Sequence, residues 1–578
     1  MIQKDEVLLK RHNEWLHFAN PHRIISVTDV DDVRGALQKV EQLVEENNWH
    51  AAGFVSYEAA PAFDDALHVL RADDFPLLWF GLYSAPRVVQ TSEVFAKRPV
   101  FNDLRGLEAL NWQPSVERET YNAAIEKVKE AIARGNTYQV NYTMRLNSEF
   151  SGGEWDFFLN LAQTQNKYAA YVDTGRFVIC SASPELFFKL DGNKIYSHPM
   201  KGTAKRGRTS LEDKDQANWL KDSIKNRAEN VMIVDMIRND LGRIAEIGSV
   251  QVPELFTIEK YPTLFQMTST VQAKTDASLD EIFSALFPCA SITGAPKVST
   301  MKIIAELETT PRKIYTGSIG FISPNRKAQF NVAIRTALID RENKTAEYGL
   351  GGGIVWDSTS ADEYSEALLK ARVLTENPRP FELIETLLWT AEDGYFLRKK
   401  HLARMQDSAD YFGFPFSSAE FENQIDGLAK HFTSPQRVRV LLDKLGQFKI
   451  ETRDFQAQEK VFKVRLAEKP VDSKNVFLFH KTTQREMYPT IPADFDEVLL
   501  YNENNELTEF TIGNLVAEID GRLFTPPIYC GLLAGTFRSH LLETEKISER
   551  VIRKGELEKC SKVFLVNSVR KWVEARLK

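Results

Sequence analysis

Two prolines within three residues, in the run Thr375-Glu376-Asn377-Pro378-Arg379-Pro380, divide this chain. Proline fixes φ, removes a backbone donor and drives the residue before it out of the α region. A helix must therefore end at this run and an extended link must follow. The whole chain has 578 residues, too many for a single core. The break predicts two parts, 1–376 and 377–578. In both, strand and helix patterns come in blocks rather than in regular βαβ alternation, so the expected class is α+β.

The net charge of −7 argues against nucleic-acid or membrane-surface partners. Cys180, Cys289, Cys530 and Cys560 are scattered, with no Cys-x-x-Cys pair, which points to a reduced intracellular protein without a thiolate zinc site. Met1-Ile2-Gln3-Lys4-Asp5 is followed by no apolar signal region, and no run reaches the roughly 18 apolar residues of a membrane span. The expected location is the cytosol.

Tyr121, Ile125, Val128 and Ile132 share one helical face, and Gly135 supplies a stop. Strands are expected at Phe177–Cys180, Leu186–Leu190 and Phe330–Arg335. Asp191-Gly192-Asn193 reads as a hairpin turn into the strand Lys194–Ser197. In the second part, strands are expected at Phe381–Trp389, Arg437–Leu442, Val476–His480 and Glu497–Tyr501, with a helix through His401 to Phe412.

The run His198-Pro199-Met200-Lys201-Gly202-Thr203 places an ammonium in what reads as a turn. Most Lys-Gly pairs are surface turns. This one stands among other blocks: Gly135-Asn136-Thr137-Tyr138-Gln139-Val140-Asn141, Ser183-Pro184-Glu185, Ala228-Glu229-Asn230 and Arg238-Asn239-Asp240-Leu241-Gly242-Arg243. Thr293-Gly294-Ala295-Pro296-Lys297, Tyr315-Thr316-Gly317, Ile334-Arg335-Thr336 and Gly351-Gly352-Gly353-Ile354-Val355-Trp356-Asp357-Ser358 follow. Glu363, Glu366 and Lys370 are spaced to share a helix face, usually a solvated arrangement. Here the Gly351–Gly353 run just upstream lets backbone N–H groups approach an anion.

Taken in order, from about Trp112 to Leu374, these blocks resemble the chorismate-utilising enzymes, and the Lys201 run resembles the Pro-Ile-Lys-Gly-Thr signature of aminodeoxychorismate synthase component I. The resemblance implies a β-sandwich with flanking helices. It makes Lys201 a covalent nucleophile at C2 of chorismate and Glu185 the general acid/base that protonates the departing C4 hydroxyl. Ammonia then enters at C4 and releases Lys201. For that, Glu185 needs a raised pKa and Lys201 one well below about 10.4. The resemblance also implies Mg²⁺ held by Glu229 and Glu366, and substrate carboxylates held by Tyr315, Arg335, Lys370 and the Gly351, Gly352 and Gly353 backbone, with Thr293 in the substrate site. Gln266 stands where many relatives carry His. No Gly-x-Cys-x-Gly block surrounds any cysteine, so ammonia is expected from a separate glutamine amidotransferase subunit, or free from solution.

From Phe381 to Lys578 the blocks His401-Leu402-Ala403-Arg404, His480-Lys481-Thr482, Thr508-Glu509-Phe510-Thr511-Ile512-Gly513-Asn514 and Asn567-Ser568 resemble fold-type IV pyridoxal-phosphate enzymes, aminodeoxychorismate lyase among them. The resemblance implies pyridoxal 5'-phosphate on Lys481, with Glu509 at the pyridine nitrogen. Arg404 and the N–H groups near Thr511, Ile512, Asn567 and Ser568 would hold the phosphate. A homodimer through this domain is a further expectation. Aminotransferases of other specificity share these elements.

Joined, the two sites would convert chorismate to 4-amino-4-deoxychorismate and then eliminate pyruvate to give 4-aminobenzoate, a folate precursor. Three rivals stand beside this: a C-terminal aminotransferase of other specificity, a C-terminal docking module without catalysis, and an anthranilate-type enzyme, which Lys201 disfavours.

Overall fold

A computed structural model describes residues 3–11, 14–72, 74–95, 110–164, 167–371, 374, 380–457 and 460–578. Residues 375–379, which carry most of the expected break, lie outside them. The chain forms two compact units, Met1–Ala204 with Ala217–Pro378, and Lys205–Gln216 with Arg379–Lys578. The second unit thus takes in twelve residues from within the first part of the sequence.

The first unit is built on two sheets, each of ten strands among the described residues. Phe18, Phe54, Trp79, Ile179, Ile319 and Phe321 fill the space between them. Helices Val30–Asn47, Ile224–Gly242 and Leu279–Leu286 cover the outer face of one sheet through Val33, Leu37, Ile237 and Phe283. Helices Arg118–Ala133, Glu154–Thr164 and Ser360–Ala371 cover the other through Tyr121, Ile125, Phe158 and Ala367. The result is the flanked β-sandwich that the sequence predicts: each sheet buries one face on its partner and one under helices. The expected helix stop holds, with Gly135 at φ 73° just past Ala133. The hairpin also holds, since Asp191 pairs Lys194 across Gly192 at φ 64°.

One strand pair positions the first site. Thr345–Ile354 runs antiparallel to Gln139–Glu149 over its full length, so that Gly353 faces Asn141. On its other edge Thr336–Asp340 reaches only as far as Tyr348. From Gly349 onward that edge pairs with no strand among the described residues, so its backbone groups are left for side chains or a ligand.

Three expectations are corrected. Lys201 is not in a turn but in the strand Met200–Lys205, which pairs with Leu264–Lys274 at a sheet edge. Pro199 interrupts the preceding strand, while its carbonyl accepts from Ser269 N at 3.1 Å. The strand predicted to reach Arg335 ends at Val332, because Arg335 adopts φ 53°. Val476–His480 is not a strand: Val476–Leu478 forms a single 3₁₀ turn, capped by the Asn475 side chain accepting from Phe477 N at 3.0 Å.

The second unit has a four-stranded antiparallel sheet of Leu383–Thr390, Gly394–Tyr395, Gln436–Leu442 and Phe448–Asp454. Helices Arg398–Phe412 and Ser418–Ala429 pack on one face through Met405 and Ile425, against Leu387 and Val438. Eight further strands form a mixed sheet. Leu507–Phe510 pairs with both Glu497–Tyr501 and Gly513–Ile519, so six of these strands close into a barrel around Val464, Leu499, Leu515 and Leu565. No helix among the described residues is long and apolar enough to cross a membrane.

Candidate active sites

In the first unit, Lys201 projects from its edge strand toward the open glycine edge. Its Nζ lies 3.0 Å from where a Cβ on Gly353 would stand, so the absence of a side chain there is what admits the ammonium. Burial lowers the Lys201 pKa, and Lys370 adds to the effect, while Glu229, Glu185 and Glu366 oppose it. All five groups therefore share one electrostatic neighbourhood. The Lys201 backbone is fixed by Asn230, whose Nδ2 donates to Lys201 O at 3.4 Å while its Oδ1 accepts from Ser269 Oγ at 2.6 Å. Gln266 also serves the backbone: its Nε2 donates to Gly202 O at 3.0 Å.

Glu185 is buried and accepts from Ser291 Oγ at 2.7 Å. Burial pushes its pKa up to about 7, against the Ser291 bond and the charges of Lys201 and Arg335. An acid poised there can hold a proton for a leaving hydroxyl at neutral pH. Arg335, held at φ 53°, makes no ion pair or side-chain hydrogen bond among the described residues, and its pKa is lowered by burial. A withdrawn guanidinium without a partner in a strained backbone conformation suits a carboxylate ligand.

Glu366 and Lys370 pair at 3.0 Å on the helix Ser360–Ala371, and Lys370 Nζ donates to Gly351 O at 2.9 Å on the open edge. Glu363 on the same helix accepts from Ser358 Oγ at 2.6 Å and has its pKa raised by burial. Glu229 comes from the facing helix Ile224–Gly242. Hard oxygen donors of this kind fit Mg²⁺. Among the described residues no three acidic, His or Cys side chains converge as a cage, so water and substrate oxygens would complete the shell. Tyr315 lies buried against Gly349, with its pKa pushed up to about 12 by burial. Thr293 is fully buried and its hydroxyl donates to Cys289 O at 3.1 Å, so it shapes the loop from within.

Gln139 was not singled out by sequence reasoning as a functional residue. It is 1% exposed, neither of its amide atoms has a hydrogen-bond partner, and its Nε2 lies 2.7 Å from the same Cβ position on Gly353. A buried primary amide left unpaired beside Lys201 is costly unless a ligand completes it. The signal was present in the sequence, as a polar residue inside the strand Gln139–Glu149.

In the second unit, Arg404, Lys481, Glu509, Thr511, Ile512, Asn567 and Ser568 all line one cavity of about 510 Å³. Burial brings the Lys481 pKa down to about 8, helped by Arg404. Its carbonyl accepts from Ile384 N at 2.9 Å, which ties it to the start of the strand Leu383–Thr390. Glu509 accepts from Tyr488 Oη at 3.0 Å, and from Asn514 Nδ2 and Leu533 N at 3.2 Å each, while burial pushes its pKa up to about 8.

Arg404 is oriented by a residue the sequence reading passed over. Glu385 accepts from Arg404 Nε and Nη2, both at 2.7 Å, and its Oε2 lies 2.6 Å from His401 Nδ1. Burial works to raise the Glu385 pKa, but Arg404 and His401 outweigh it and hold it at about 2. The Thr511–Ile512 turn is pinned by the fully buried Glu497, which takes both Thr511 N, at 2.7 Å, and Thr511 Oγ1, at 2.6 Å. The Thr511 N–H that the sequence reading aims at a phosphate is thus already bonded. Asn567 Oδ1 accepts from Val569 N and Arg570 N, and Ser568 Oγ reaches Thr386 O at 3.4 Å. A cavity of this size, with a low-pKa lysine, a buried carboxyl and cations in its wall, fits pyridoxal phosphate.

Comparison with known proteins follows the same division. A family model described as chorismate binding enzyme matches residues 5–376, and one described as amino-transferase class IV matches residues 382–577. Aminodeoxychorismate synthase component 1 of Escherichia coli strain K12 is 41% identical over 270 residues, 46% of this chain and 59% of that protein. Its namesake from Bacillus subtilis strain 168 is 42% identical over 254 residues, 43% of this chain and 54% of that protein. The chain spans just over half the length of these curated relatives. Anthranilate synthase component I from Streptococcus pneumoniae TIGR4 superposes with a TM-score of 0.54 at 26% identity, covering 63% of this chain and 92% of that one.

Proposed function

The chain belongs to the family of chorismate binding enzymes, and from that premise we propose that it makes 4-aminobenzoate from chorismate in two steps. In the first unit, Glu229 and Glu366 would hold Mg²⁺, which would supply positive charge for the ring carboxylate, and Arg335 with Lys370 receives the second carboxylate. Lys201 attacks C2 as a neutral amine. The ring double bonds shift, and the C4 hydroxyl leaves as water with the proton held by Glu185. Ammonia then attacks C4, the shift reverses, and Lys201 departs from C2 as the amine. Gln139, beside Lys201, offers a carbonyl and an N–H to the incoming ammonia or the ring substituents. The ammonia is supplied by a separate glutamine amidotransferase subunit, and the protein works in the cytosol.

In the second unit, pyridoxal phosphate supplies an electron sink when bound. Lys481 holds and moves the ring proton whose loss, with departure of pyruvate, leaves an aromatic amine. Glu509 holds a proton at the ring nitrogen of the cofactor, and Tyr488 and Asn514 keep its carboxyl in place. Arg404, fixed by Glu385, and the Asn567–Ser568 turn hold the phosphate.

The observation that carries this reading is the meeting of Lys201, Gln139 and Gly353 on an open strand edge, within the field of Glu185, Glu229 and Glu366. The full chain, given chorismate, ammonium, Mg²⁺ and pyridoxal phosphate, is tested by product analysis. 4-Aminobenzoate and pyruvate are expected. Anthranilate as the sole amine would overturn the first step, and accumulation of aminodeoxychorismate would overturn the second.

A further inference from the structure

The wall of the cavity that holds Lys481 carries six cationic side chains and only two acids, Asp454 and Glu509. Both acids are engaged elsewhere: Glu509 as described, Asp454 with Ser434 Oγ at 2.8 Å and with Gln436 Nε2. Arg404 and Arg485 are anchored too, the first by Glu385 and the second by Thr511 O at 2.6 Å.

Three arginines remain without an acidic partner among the described residues, one of them, Arg570, lying over the Phe462 ring at 5.7 Å. Arg437 and Arg453 stand directly opposite each other on the antiparallel strands Gln436–Leu442 and Phe448–Asp454. Like charges in that position repel and destabilise a sheet. One rung on, Arg439 faces Glu451 at 3.7 Å, the ordinary solution to the same problem. Arg437 and Arg453 make no ion pair among the described residues. Arg570, in the turn between Lys562–Asn567 and Lys571–Leu577, adds a third positive charge to the same wall. Partial desolvation, with Arg453, Arg439 and Arg570 nearby, lowers the Arg437 pKa against the opposing charge of Glu451. The protein thus keeps three exposed, planar cationic donors together at a cavity wall, with the acid Glu451 beside them, and a bound anion would offset the remaining repulsion.

The placement indicates which end of a ligand it meets. Lys481 is tied beside Ile384 at the start of the strand Leu383–Thr390, whereas Arg437 is in register with Leu388 near its end. Four residues of strand span roughly 13 Å. A ring with an amine and a para carboxylate covers roughly half of that span, and the long arginine side chains lining the same cavity cover the rest.

We propose that Arg437, Arg453 and Arg570 form a carboxylate subsite that selects amines whose carboxylate is remote from the nitrogen. This deepens, and rests on, the lyase reading of the same cavity: a carboxylate para to a ring amine meets the requirement, and an α-amino acid does not.

The test uses the full chain loaded with pyridoxal phosphate. 4-Aminobenzoate and its uncharged analogue 4-aminobenzamide are titrated, and the change in the cofactor's visible absorbance is followed, a signal local to this cavity. The wild type should prefer the carboxylate by at least about tenfold. Arg437→Met with Arg453→Met should abolish that preference, and Arg570→Met should reduce it. Arg437→Lys should keep part of it. The melting temperature of the double variant should hold or rise, since a repulsion is removed. An undiminished preference in the double variant overturns the proposal. So does loss of the resting visible absorbance, which would assign the cluster to the cofactor phosphate instead. Pyruvate release from aminodeoxychorismate by the wild type is measured separately. Its absence would sink the lyase reading, while the carboxylate preference still decides the subsite.

Discussion

Gly353→Ala tests the geometry around Lys201 with a single methyl group. The new Cβ would stand 3.0 Å from Lys201 Nζ and 2.7 Å from Gln139 Nε2. Ordinary contact begins near 3.4 Å, so the ammonium must retreat by about 0.4 Å and the amide by about 0.7 Å. Both are the ends of side chains, and Gly353 is not in the left-handed region, so the strand can accept alanine. A misplacement of about 1 Å in a reacting group can cost on the order of 100-fold in rate. Half of that should cost at least about tenfold, about 1.4 kcal/mol in the barrier. The first step is assayed as chorismate consumption at saturating ammonium and Mg²⁺, beside a thermal melt. Gly351→Ala is the contrast, because its Cβ would fall 2.2 Å from Tyr142 O, a backbone atom of the paired strand. That variant should lose melting temperature, and Gly353→Ala should not. A Gly353→Ala enzyme with the wild-type rate would show that Lys201 and Gln139 do not work from the positions described.

Lys201→Ala should abolish amination at C4 and leave trace anthranilate, read by product chromatography; undiminished 4-aminobenzoate would remove Lys201 from the mechanism. Glu229→Gln or Glu366→Gln should raise the Mg²⁺ requirement of the first step at least about tenfold and spare pyruvate release from supplied aminodeoxychorismate. Equal loss of both activities would indicate unfolding instead. Glu185 is held up at about 7 in the folded protein against an ordinary value of 4.5. Its protonated form therefore stabilises the fold fully below about pH 4.5, and that contribution fades as pH rises through about 7. The stability difference between wild type and Glu185→Gln, measured by denaturant melts, should shift toward the variant across that window; a pH-independent difference would contradict the burial argument. Lys481→Ala should stop 4-aminobenzoate formation while chorismate consumption continues, with aminodeoxychorismate accumulating. Wild-type 4-aminobenzoate output from this variant would favour a docking role for the second unit.

The sandwich of the first unit was legible because its motifs and apolar patterns agree. Three local features were not. Pro199 and Gly202 flank Lys201 with turn signals, yet pairing with Leu264–Lys274 overrides them. Val476-Phe477-Leu478-Phe479 is an apolar run too short for its period to separate strand from helical turn, and Asn475 decides for the turn. The left-handed Arg335 follows from the corner it turns between two sheets, a tertiary demand with no sequence mark. At the sites, the chemistry-bearing residues were readable and their supports were not. Glu385 alternates with Leu383 and Leu387 on the core-facing side of its strand, so a buried carboxylate was there to be noticed. The claim of Glu497 on Thr511 depends on the antiparallel pairing of Glu497–Tyr501 with Leu507–Phe510, which brings residues fourteen apart to one turn.

The barrel has a wider consequence. Glu509 and Asn514 pair across the hairpin of Leu507–Phe510 with Gly513–Ile519, one wall of the cylinder, and the same two residues face the cavity that fits the cofactor. A molecule bound at Glu509 would therefore brace that hairpin against the rest of the cylinder. Ligand that binds only the closed form adds its binding free energy to the closed form. The resistance of this half of the protein to unfolding would then rise with the concentration of that ligand.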